Sequence, residues 1–164
     1  MSAGQPEREP FKTAIAPNLV VANGLEAIAF YSAAFGAVEL HRVGDDAGVA
    51  QLSIGGAEFW LAEAASELGR FTPESLAGRS VGMILVVEDP DAVWDQAVAA
   101  GAAVDAPVEE SHGWRTGRVV DPFGHHWEIA RPLGPWPPTG AAGCPPHLRS
   151  AHRRQPSCNP QGCF

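Results

Sequence analysis

Apolar residues recur in the same order twice along the chain. "LVVANGLEAIAFYSAAFGAVEL", from Leu19, and "LVVEDPDAVWDQAVAAGAAVDA", from Leu85, each run as an apolar strand, a short polar loop, an amphipathic stretch, then Gly-Ala and another strand. Such self-similarity predicts two copies of one supersecondary unit. The amphipathic stretches predict helices near Leu25–Phe35 and Pro90–Ala100, with Leu25, Ile28 and Ala29, and Val93, Ala97 and Val98, spaced to pack on a sheet. Period-two alternation predicts further strands near Val38–Val43, Gly48–Ser53 and Glu58–Glu63, and near Val104–Val108, Gly117–Asp121 and His125–Arg131. The implied fold class is α+β: two tandem βαβββ modules forming a cupped mixed β-sheet with helices outside. The modules cover about residues 13–63 and 80–131, joined by a linker over 64–79 that contains a helical turn.

The turns carry their own chemistry. "IGGAE" separates the last two strands of the first module. "DPFG" opens the last strand of the second, since Pro fixes its φ, Asp bonds the backbone ahead of it and Gly accepts positive φ. In the strand after this turn, His125, Trp127 and Ile129 share one face, and His126, Glu128 and Ala130 the other.

Composition changes near Pro132. The segment 132–164 is rich in Pro, Gly and Ser, contains no acidic residue and has neither helical nor strand period, so it is expected to be a disordered tail. Residues 1–12 form a polar N-terminal arm. The body up to Arg131 holds eight basic and nineteen acidic residues, a net of −11, which disfavours nucleic acid and anionic membranes as partners. The opening stretch "MSAGQPEREPFKT" is polar and mixed in charge, so no signal leader is expected, and no run of ~18 apolar residues occurs. The three cysteines, Cys144, Cys158 and Cys163, all lie in the last 21 residues. A reducing, cytoplasmic setting is therefore expected. Cys144, His147, His152, Cys158 and Cys163 follow no zinc-finger spacing.

The segments "PNLVV", "AIAFYSAAFGA", "VEDPDAVWDQAVAAGA" and "DPFGHHWEIA", in that order over residues 13–131, resemble the vicinal oxygen chelate superfamily of glyoxalases, bleomycin-resistance proteins and extradiol dioxygenases, and most of all its PhnB-like subgroup. The resemblance implies that metal-dependent members draw ligands from the first and last strands of each module, converging in a cup. Superposing the two repeats places these positions at Ala16, Trp60, Gly82 and Glu128. Only Glu128 can ligate, and one carboxylate holds a divalent metal weakly. His126 shares the Glu128 face, while Glu63 and His41 are the donors available from the first module. No metal or other cofactor is expected; a divalent metal is the alternative, with Glu128 and His126 as its ligands.

Without a metal the cup is an apolar pocket with a few polar groups. Candidate ligand-binding residues are Asn18, Trp60, Trp114, His126 and Glu128. Trp60 faces the cup and Phe59 the other side; Asn18 supplies a donor and an acceptor; "HGWRTGR" puts His112 and Trp114 in a loop from which an indole could stack on a planar ligand. Each tryptophan could equally pack in a core or an interface, to which Trp94 and Trp127 are assigned. Glu128 could instead form a salt bridge to Arg118 or Arg131. His125 is expected to bond a backbone group at the turn.

Three functions remain open. One is a metal-free binding protein for a largely planar organic molecule, dimeric as the resemblance implies. A second is a metal-dependent glyoxalase- or dioxygenase-like enzyme. A third is a metal-free enzyme with Glu128 as general base.

Overall fold

The computed structural model describes residues 13–136. The arm over 1–12 and the tail beyond residue 136 lie outside them.

The first module contains β1 (Asn18–Val21), α1 (Gly24–Phe35), β2 (Val38–Val43), β3 (Val49–Ile54) and β4 (Ala57–Glu63). The second contains β5 (Met83–Val86), α2 (Pro90–Ala99), β6 (Ala103–Ser111), β7 (Trp114–Val120) and β8 (His126–Pro132). Each makes a four-stranded mixed sheet, in the orders β1-β4-β3-β2 and β5-β8-β7-β6. The first and last strands of each module pair in parallel, which only a crossover can achieve, and the helix supplies it. The remaining strands are antiparallel neighbours joined by short turns. The fold is thus α+β, two tandem βαβββ modules. The registers repeat as well: Asn18 lies opposite Trp60, and Ile84 lies opposite Glu128.

Local chemistry sets the boundaries. Asn23 caps α1 by accepting from the Glu26 N–H, and Gly36 ends it at φ 66°. Asp89 caps α2, with Pro90 at the first helical position. Gly55 and Gly56, at φ 56° and 91°, make the two-residue turn between β3 and β4 that matches strand twist. His112 and Gly113 do the same between β6 and β7, at φ 54° and 83°. Trp114 therefore opens β7 opposite Ser111 instead of sitting in a loop. A His-Gly pair is a weaker turn signal than Gly-Gly, which is why the hairpin is longer than the alternation predicts.

The helix-facing sides of both sheets share one core. Its centre is aromatic: Tyr31 of α1 packs on Phe59 of its own sheet and on Trp127 of the other, and Phe30 packs on Phe123. The buried face of α1 is accordingly Ala27, Phe30, Tyr31, Ala34 and Phe35, and Leu25 and Ala29 face solvent. The rotation from the expected face follows from area, because the rings bury far more surface than Leu25 and Ala29 could.

Within this core lies Asp121, only 4% exposed. Its Oδ1 accepts from the N–H groups of Phe123 and His125, closing the turn. Its Oδ2 accepts from the Tyr31 hydroxyl at 2.7 Å and from Trp127 Nε1 at 2.9 Å. Burial first, then the Asp121 charge, raise the Tyr31 pKa well above that of an ordinary phenol. Because the folded value exceeds the unfolded one of about 10, the stability Tyr31 contributes is fully present below that pH and is lost as pH rises toward the folded value. Tyr31 is the only tyrosine in the chain. An ultraviolet titration of tyrosinate should therefore show no ionisation near pH ~10 in the native protein and full ionisation there in urea; coincident curves would refute the buried pair.

Candidate functional site

The other face of each sheet, turned away from the helices, carries the polar candidates. On β4, Phe59 and Leu61 are buried in the core while the half-buried Trp60 alternates to the opposite side, next to Asn18 on β1 and Gln51 on β3. On β8, Trp127 and Ile129 are buried and His126 and Glu128 alternate outward. The structure brings Asn18 to Trp60, and His126 to Glu128.

Glu128 Oε1 accepts from Thr116 Oγ1 at 3.2 Å. Neither expected salt bridge forms: Arg118 pairs with Asp105 at 2.9 Å, and Arg131 donates to the Glu88 carbonyl. His125 does bond a backbone group, but in the other module, where its Nε2 donates to the Val20 carbonyl at 2.9 Å. Since a carbonyl can only accept, that nitrogen carries the proton. His126 is different. Its Nδ1 is buried without a partner, and burial first, then the Arg79 charge, lower its pKa below the usual histidine value.

Three cavities meet at the end of the linker. One of about 400 Å³ is lined by Arg79, Ser80, Ile84, Arg118, His126 and Glu128. A second, of about 270 Å³, is more apolar, with Asn18, Leu19, Phe71, Leu76, Val81 and His125 in its walls. A third, of about 320 Å³, lies between Glu74, Val120 and His126. Trp60 and Trp114 line none of them. The 3₁₀ turn at Ser66–Leu68 falls where the linker was expected to turn, but the linker's walls, Phe71, Leu76 and Arg79, were not foreseen as site residues. Their only sequence signal was an arginine and two apolar residues in a segment without period.

The donor set does not fit a catalytic metal. Glu128 has Thr116 as its hydrogen-bond partner and Ile84 opposite it in register. Glu63, a possible metal ligand from the first module, accepts from the Gly24 N–H at its Oε1, at 2.8 Å. Among the described residues, no three His, Cys, Asp or Glu side chains are grouped to hold an ion.

Residues 14–129 match the family model described as the glyoxalase/bleomycin resistance protein/dioxygenase superfamily. The chain belongs to that superfamily. An uncharacterized protein of Mycobacterium bovis is 42% identical over 127 residues, covering 73% of this chain and 84% of that one. The X-ray structure of a gene product from Arabidopsis thaliana is 30% identical and superposes with a TM-score of 0.58, covering 73% of this chain and 99% of that one. The crystal structure of TioX from Micromonospora sp. ML1 is 25% identical, with a TM-score of 0.59 over 74% of this chain and all of that one. In this member of the glyoxalase superfamily, no described helix is long and apolar enough to cross a membrane.

Proposed function

We propose that this superfamily member is a metal-free small-molecule-binding protein of the bleomycin-resistance type and of the PhnB-like subgroup, taking a largely planar organic ligand on the cup face. The observation that supports this most is the composition of the four positions the repeat makes equivalent. Ala16, Trp60 and Gly82 offer a methyl, an indole and a hydrogen where ligands would be needed, leaving Glu128 alone. In place of a metal, Glu128 offers carboxylate acceptors to a donor on the ligand, and on the same face of the first module Asn18 and its register neighbour Trp60 supply an amide and stacking area. The protein acts as a homodimer. Val38, Leu40 and Val43 on the edge strand β2, and Ile84 and Val86 on the edge strand β5, are all exposed, and apolar edge strands favour pairing.

One preparation tests these readings. Elemental analysis should find no stoichiometric Zn, Ni, Fe or Mn, and light scattering should give a dimer mass. In a thermal-shift screen of planar aromatic compounds, binding should be insensitive to chelator. Trp60→Ala should weaken it by on the order of 1 kcal/mol. Stoichiometric metal that disappears in Glu128→Gln would overturn the metal-free reading.

A further inference from the structure

Arg79 alone lines all three cavities. Four of the six arginines among the described residues are engaged: Arg42 with Glu39, Arg115 with Asp91, Arg118 with Asp105, and Arg131 with the Glu88 carbonyl. The guanidinium groups of Arg70 and Arg79 make no hydrogen bond or ion pair among the described residues, and of the two only Arg79 lines these three cavities. In a body of net charge −11, a guanidinium left out of every ion pair at the junction of three cavities is a local source of positive charge.

The walls around Arg79 mix polar and apolar groups, and Ser80 and Val81 are common to the first two cavities. The first cavity adds the buried, unpartnered His126 Nδ1 to Ser80. A buried polar atom without a partner is costly, and a ligand atom could supply what the protein does not. The second cavity adds Leu19, Phe71 and Leu76 to Val81 as its apolar wall. Glu74 lines the third cavity and Glu128 the first, where Arg118 is already paired with Asp105, so Arg79 is the cation of these walls left to meet a ligand's negative charge.

We infer that Arg79 anchors an anion, and that the groove around it takes an apolar organic carboxylate: the carboxylate against the Arg79 guanidinium beside Ser80, the apolar body against Phe71, Leu76 and Val81. The planar fork of arginine matches two carboxylate oxygens, and the apolar wall supplies the area that holds the rest. This inference rests on the small-molecule-binding reading and gives its ligand a charge and an orientation.

Calorimetry on the full chain with naphthylacetate and its uncharged analogue naphthylacetamide tests it. The acid should bind about tenfold or more tighter than the amide. Arg79→Gln should bring the two within about twofold of each other, because the hydrogen bonds to the charge are gone. The melting temperature of that variant should be unchanged, since Arg79 is exposed and unpaired. Arg42→Gln, with the same change in net charge but outside the cavities, should keep the preference. Equal binding of acid and amide by the native protein, a preference that survives Arg79→Gln, or no binding of either compound would each overturn the inference. Equal binding would leave the small-molecule-binding reading standing. Binding abolished by chelator would instead sink the metal-free reading while the acid-to-amide ratio still reports on Arg79.

Discussion

Asp121→Ala should lower the unfolding free energy by about 4 kcal/mol, on the scale of losing several buried hydrogen bonds to a charge at once. Asp121 is the sole acceptor identified for the Tyr31 hydroxyl and Trp127 Nε1, and it also holds the N–H groups of Phe123 and His125. Removing the carboxylate orphans four donors in a space where Tyr31 and Trp127 are almost wholly buried. Two of these donors lie in the turn and two are ring groups from different modules, so the loss also loosens the join between the sheets. Asp121→Asn keeps the shape but turns an NH₂ toward two groups that donate, and should cost about half as much. Tyr31→Phe removes one bond to the charge and leaves three, and should cost about 2 kcal/mol. Urea unfolding of the three variants checks the order. If Asp121→Ala falls within about 1 kcal/mol of the native protein, the network does not hold the modules together.

Gly24→Ala should cost about 3 kcal/mol, although Gly24 begins a helix, where alanine is ordinarily the better residue. A Cβ there would overlap the carbonyl oxygen of Ala47 and come within 2.9 Å of its carbonyl carbon. Ala47 cannot retreat easily: it is fully buried, and its own φ of 57° already lies in the left-handed region. The Gly24 N–H is fixed from the other side by Glu63, so opening the contact also strains that bond. Gly48→Ala is the control in the same loop. Its added Cβ would have only Asp46 Oδ1 near it, at 3.7 Å, and the change should be neutral within about 0.5 kcal/mol. Comparable melting temperatures for the two variants would show that the helix start can shift without cost.

By itself the sequence determined the repeat, and with it the order of the elements and the face each strand residue takes. Period-two and helical spacing, with Gly55-Gly56, Asp89-Pro90 and Asp121-Pro122 as punctuation, are local signals, and local signals set element type and strand face. They placed Trp60 opposite in face to Phe59, and Glu128 opposite to Trp127, because alternation along a strand needs no knowledge of what lies beyond it. Tertiary structure decided what these side chains meet. Asp121 read as a turn residue, and its Oδ1 is one; its Oδ2 found Tyr31, ninety residues away, a contact that no spacing encodes. The same distance effect sent Arg118 to Asp105, left Glu128 with Thr116, and turned α1 so that aromatic rings replaced Leu25 in the core. Arg79 shows the limit most plainly. It stands in an aperiodic linker, and only the fold, which sets that linker beside residues of β1, β5, β7 and β8, makes it a wall of all three cavities. Hydrophobic burial is read from pattern, but a polar group's partner depends on which distant atoms the packed core brings within about 3 Å of it.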